Sequence, residues 1–102
     1  MQRLKTETLA YDDTEYLKDP SNRADFLSEL WSSGDQDAFL IGLGRVLEVC
    51  GYTTVAADSG VCRSQLYRIV SGSSAVKLET LLSIFKALRL DANLSLTAIK
   101  AA

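Results

Sequence analysis

Between Cys62 and Ser71 the chain reads Cys-Arg-Ser-Gln-Leu-Tyr-Arg-Ile-Val-Ser, with Leu66 and Ile69 three residues apart. If this run is a helix with those two facing inward, Arg63, Ser64, Gln65, Tyr67, Arg68 and Ser71 face outward. Arginine forks onto guanine, glutamine onto adenine, and serine or tyrosine reaches phosphate, so the pattern suits the reading of DNA. The plainer alternative is a helical hairpin that binds nothing, its two arginines simply solvated. Catalysis has far less to draw on. There is no histidine, which removes Ser-His and Cys-His nucleophiles and imidazole metal ligands. Two cysteines, Cys50 and Cys62, do not complete a four-ligand zinc site. Gly42-Leu43-Gly44 begins like a dinucleotide loop, but Leu47 stands at the third glycine position and no strand-like run precedes it. No catalytic residue, cofactor or metal is expected.

A reading helix needs a second helix to hold it. The segment from Tyr52 supplies one, joined to it by a short turn. Ala56, four before Gly60, is small enough for close helix crossing, and Gly60 sits where the turn needs a positive φ. Val55, Val61, Leu66 and Ile69 form the shared interior. Ser59 and Cys62 depart from the pattern: the residue before the turn glycine is commonly apolar, and Ser or Asp caps a helix better than Cys. At a helix N-terminus Cys62 is a candidate redox-sensing thiol, but substitution for a capping serine is the simpler reading. Cys50 reads as a small core residue.

The remaining elements are also helical. Asp12 to Lys18 is a short candidate, with Tyr16 and Leu17 as its apolar contacts. Asp19-Pro20 reads as an N-cap followed by proline at the first helical position. The helix it opens carries Phe26, Leu27, Leu30 and Trp31 on one face, and Gly34 ends it. Trp31 and Phe26 are candidates for a partner-binding patch, but aromatics at helical spacing are usually core, and the face is assigned there. Asp35 caps a helix to about Cys50, where Gly42 and Gly44 suggest close approach of another helix. Gly51 closes that helix, and Thr53 caps the next. A last helix from about Leu78 presents Leu78, Leu81, Leu82, Phe85 and Leu88. The expected core includes Leu43, Leu47, Val55, Ala56, Val61, Leu66, Ile69, Leu81, Leu82 and Phe85. In the tail Leu94, Leu96 and Ala98 alternate with polar residues, as a strand does. A lone strand needs a partner, either residues 3–9 or a second copy across a two-fold axis. The expected fold is all-α, with an acidic helical extension over 1–34, a DNA-binding domain over 35–90 and a strand or tail over 91–102.

The net charge of −2 conceals an asymmetry. Residues 1–40 carry nine acids against four bases, and residues 41–102 seven bases against four acids. The second part suits phosphate and the first a basic protein, although ordinary solvated surface explains the imbalance as well. At 102 residues and 47% hydrophobic, the chain can fill one core without a metal or disulfide. No apolar run approaches the roughly 20 residues of a membrane span, and a cytoplasmic protein with reduced cysteines is expected.

The two motif helices, Ser71-Gly72 and the helix Leu78-Glu79-Thr80-Leu81-Leu82-Ser83-Ile84-Phe85-Lys86-Ala87-Leu88 resemble the Cro/repressor-type domain. The leader Glu7-Thr8-Leu9-Ala10-Tyr11-Asp12-Asp13-Thr14-Glu15-Tyr16-Leu17-Lys18-Asp19-Pro20 and the tail Leu88-Arg89-Leu90 with Leu94-Ser95-Leu96 narrow the likeness. They are similar to addiction-module antidote proteins, the HigA-like antitoxins of bacterial toxin–antitoxin operons. Family members often carry a proline in the loop before the last helix, which Ser73–Lys77 lacks. The resemblance implies a type II antitoxin with a five-helix Cro/repressor-like fold. It implies a homodimer on palindromic operator DNA, repressing its own operon and neutralising a co-encoded basic RNase toxin of RelE/HigB-like kind. A stand-alone repressor without a toxin, or an interaction module that has lost DNA binding, are the alternatives. Dimerisation follows also from the few base pairs that one helix reads, with Leu94, Leu96 and Ala98 as its candidate contacts.

Overall fold

The computed structural model describes residues 14–99. Five helices follow a helical turn at residues 14–16: α1 (Pro20–Ser32), α2 (Gln36–Cys50), α3 (Tyr52–Ser59), α4 (Arg63–Val70) and α5 (Leu78–Ala87). The all-α architecture agrees with the sequence reading. Local chemistry sets the boundaries. Asp19 Oδ1 accepts from the Ser21 amide at 2.9 Å with Pro20 behind it, and Asp35 Oδ1 accepts from the Ala38 amide at 3.1 Å. Each satisfies a donor that the first turn of a helix leaves orphaned.

α2 is the central element. It packs against α1, α3 and α4, while α5 closes over α3. Phe39, Leu43, Val46 and Leu47 of α2 are buried with Leu17, Leu27, Val55, Leu66, Ile69, Ile84 and Leu88 in one core. Gly42 admits α1: a Cβ there would collide with Leu30 Cδ1 and lie 3.2 Å from Phe26 Cε2. Gly51, at φ 93°, turns the chain through 97° between α2 and α3. That positive φ favours glycine over residues with a side chain.

Several expectations are corrected. Gly51, not Thr53, is the N-cap of α3, because one positive-φ residue both ends α2 and begins α3; Thr53 falls inside the first turn. α5 is rotated from its expected face: Ile84 and Leu88 are buried, Leu81 and Phe85 half-buried, and Leu78 and Leu82 exposed at 71% and 39%. Apolar residues surround this helix, so periodicity alone does not select the inward side. Ala56 lines the core without being buried. Trp31 is 61% exposed, its ring edge-on to Phe39 with centroids 5.2 Å apart. Residues 90–99 form no strand, since an isolated extended segment has no ladder to satisfy its backbone. The proposed pairing segment 3–9 lies outside the described residues.

Candidate nucleic-acid interface

The turn between α3 and α4 is built from three residues, each with a separate task. Gly60 is left-handed at φ 77°, and its amide donates to the Ala56 carbonyl at 3.0 Å, closing α3. Val61 drops its side chain into the core at 8% exposure. Cys62 is extended at φ −69°, ψ 153°, and its carbonyl accepts from both the Gln65 and Leu66 amides at 3.0 Å, opening α4. Ser59, which breaks the apolar pattern, has a use here: its Oγ accepts from the Val61 amide at 3.2 Å. The hydroxyl satisfies a turn donor that an apolar residue would leave to water.

Leu66 and Ile69 anchor α4 in the core. Arg63, Ser64, Tyr67, Arg68 and Ser71 therefore share one exposed face, and Gln65 sits half-buried at its flank. At 1.5 Å per residue this face runs about 12 Å from Arg63 to Ser71. Its two ends differ in chemistry. At the start, Arg63 and Ser64 are exposed and Gln65 is half-buried. At the far end Ser71 is the C-cap; its Oγ donates to the Arg68 carbonyl at 3.0 Å and shares a 2.9 Å hydrogen bond with Ser73 Oγ. The Gly72 amide donates to Ile69 and the Ser73 amide to Arg68, both at 3.1 Å. With Gly72 left-handed at φ 79°, this double bond pattern stops the helix firmly.

Tyr67 is half-exposed because its ring stacks on Tyr52, with centroids 4.1 Å apart and planes 10° from parallel. The stack fixes α4 against the start of α3. Burial, then the neighbouring Tyr67 and Glu48, push the Tyr52 phenol above its ordinary pKa. Tyr52 was not foreseen as a partner, since two aromatics fifteen residues apart carry no local signal of contact.

The field of this face is positive. From Ser59 to Leu78 the sequence contains no carboxylate, while Arg63, Arg68 and Lys77 carry charge. Among the described residues neither Arg63 nor Arg68 pairs with an acid; the ion pairs are Lys18–Glu15 and Arg45–Glu48. Exposed Cys62 lies at the edge of the same face, its Sγ 3.4 Å from Ser64 Oγ. That hydrogen bond, with the Gln65 amide, holds the thiol below its ordinary pKa. Cys50 behaves oppositely: half-buried as the last residue of α2, its pKa is raised by desolvation, against the opposing influence of Arg23.

Residues 7–96 match the family described as probable addiction module antidote protein. The chain belongs to that family. An uncharacterized protein of Haemophilus influenzae is 26% identical over 81 residues, covering 79% of this chain and 84% of its own. No solved structure gives a significant match. Among the described residues of this antidote-family chain, no single helix is long and apolar enough to cross a membrane. Leu94, Leu96 and Ala98 are exposed in the tail, whose described residues have no regular structure.

The sequence reading missed Arg23. Its Nε donates to the Leu17 carbonyl at 2.8 Å, Nη2 to Lys18 at 3.0 Å and Nη1 to Leu88 at 2.9 Å. One guanidinium thereby joins the segment just before α1 to the end of α5. A lone arginine in a helix gives no warning of such a role.

Proposed function

We propose that this antidote protein binds palindromic operator DNA as a homodimer in the cytoplasm, represses its own operon, and neutralises a co-encoded basic RNase toxin of RelE/HigB-like kind. Its role is regulatory rather than catalytic. The observation that carries the DNA part is the exposed face of α4, where Arg63 and Ser64 stand exposed in the first turn with half-buried Gln65 at the flank, and Arg68 follows further along. The core behind that face is closed by Val55, Val61, Leu66 and Ile69. A helix held this way enters a major groove with its N-terminal residues at the base edges. Arg63 and Gln65 read bases, Arg68 reaches phosphate or guanine, and Ser64, Tyr67 and Ser71 contact the backbone. The family assignment supports a toxin partner, and the acidic excess of residues 1–40 suits a basic one.

Titration of alanine variants against operator and scrambled DNA at two salt concentrations tests the assignment. Arg63→Ala or Gln65→Ala costs about 1–3 kcal/mol and relaxes specificity at one position. Arg68→Ala also weakens scrambled DNA and makes the salt dependence shallower. Wild-type operator binding by all three variants rejects α4 as the reading helix.

A further inference from the structure

A second surface adjoins the C-terminal end of α4, and its charged residues are acidic. The end of α1, the start of α2, Ile69 of α4, the loop that follows it and Leu81 of α5 enclose an open groove of about 730 Å³. Its walls are apolar side chains, Trp31, Phe39, Leu40, Val76 and Leu81 among them, and its charged lining residues are Asp35 and Asp37. Among the described residues no lysine or arginine lines it. Trp31 leaves 61% of its surface to solvent although Leu27, four residues earlier, is buried. The edge-on contact with Phe39, 82° between ring planes, holds the indole in one orientation at the groove wall. Neither Asp35 nor Asp37 is tied up in an ion pair among the described residues; Asp35 uses one oxygen to cap α2.

An aromatic wall beside two carboxylates repels phosphate and attracts a cation. An indole is the best ring for cation–π contact with lysine or arginine, and a guanidinium can at once stack on the ring and bond a carboxylate. The apolar walls accept the methylene stem of such a side chain and its apolar neighbours. Tryptophan in a partly enclosed groove is also the residue type that carries most binding energy at interfaces.

The geometry points to this groove as a docking site for a basic polypeptide segment, one that lays an arginine or lysine against Trp31 and between the carboxylates of Asp35 and Asp37. In the cell that segment belongs to the toxin, an identification that rests on the antidote reading above; the groove chemistry does not depend on it.

Trp31 is the sole tryptophan of the chain, so its fluorescence reports on the groove directly. The full-length protein is titrated with an acetylated, amidated peptide of leucines around two arginines, and with the same peptide carrying citrulline instead. The arginine peptide gives a saturable change that weakens with salt; the citrulline peptide binds about tenfold more weakly or worse. In Asp35→Asn/Asp37→Asn the fluorescence response shifts to at least tenfold higher peptide. Asparagine still caps α2 there, so the fold is retained. Equal binding of the two peptides, or an unchanged response in the double variant, overturns the proposal. Co-expression with the product of each gene adjoining this one in its operon separates the two readings. A complex that survives Trp31→Ala and the double variant unaltered overturns the groove and leaves the antidote reading standing. A wild-type chain that captures no such product while the arginine peptide still binds rejects the toxin reading and leaves the groove.

Discussion

Arg23 and Leu88 are 65 residues apart in the chain and 2.9 Å apart between guanidinium Nη1 and carbonyl oxygen. Leu88 is the C-cap of α5, where helix carbonyls lack amide partners and the dipole favours a cation. The same guanidinium holds the carbonyls of Leu17 and Lys18, so it ties the segment before α1 to the end of the last helix, beside the burial of Leu17 and Leu88 in one core. Arg89, at φ 67°, lets the chain turn back just after this point, with the Leu90 amide bonded to the Phe85 carbonyl at 2.9 Å.

Arg23→Ala leaves three carbonyls to find water and destabilises the fold by about 1–3 kcal/mol. Arg23→Lys recovers only part of that, because a compact ammonium does not span three acceptors as a planar fork does. Urea unfolding of the two variants measures both quantities. Equal stability of the lysine variant and wild type contradicts the bridging role.

Gly42 and Gly44 respond in opposite directions to alanine. Either exchange gains about 1 kcal/mol in helix propensity. At Gly42 the new methyl meets Leu30 and Phe26 of α1, and overpacking of about 1–3 kcal/mol outweighs that gain. At Gly44 the nearest atom is Val70 Cβ at 3.4 Å, an ordinary contact, so Gly44→Ala is neutral or stabilising. Thermal melts of both variants check the sign.

The two thiols differ in reactivity with pH. Cys62 is lowered by its hydrogen bond to Ser64, and Cys50 is raised by burial. Below the ordinary thiol pKa a lowered group holds more thiolate and a raised one less, so iodoacetamide labels Cys62 first at neutral pH. Ser64→Ala slows labelling at Cys62 and leaves Cys50 unchanged. Mass spectrometry of a labelling time course reads both sites.

Removal of residues 91–102 tests the tail. Residues 91–99 are exposed and carry no regular structure, so the helical circular dichroism of the truncated chain matches wild type. If Leu94, Leu96 and Ala98 join two copies, dimerisation and operator binding weaken together. An unchanged sedimentation profile removes the tail from the interface.

The sequence alone determined those features whose causes are local. Asp19 with Pro20, Asp35, Gly34 and Gly60 each act within a few residues of themselves, through a cap or a left-handed backbone. The α3–α4 pair was legible for the same reason: Val55, Val61, Leu66 and Ile69 all lie within fifteen residues, and their spacing fixes which side of α4 remains outside. Tertiary structure decided what periodicity left open. The apolar residues of α5 leave its inward face undetermined, and packing on α3 selected Ile84 and Leu88 over Leu78 and Leu82. Trp31 shares a helix with buried Leu27, yet it meets the core only edge-on at Phe39 and leaves most of its surface in solvent. The tail alternates as a strand does, but a strand is made by hydrogen bonds to a neighbour, and the described part of one chain offers none. The Arg23 bridge and the Tyr52–Tyr67 stack depend on atoms distant in sequence, and only the packing of helices brings them together.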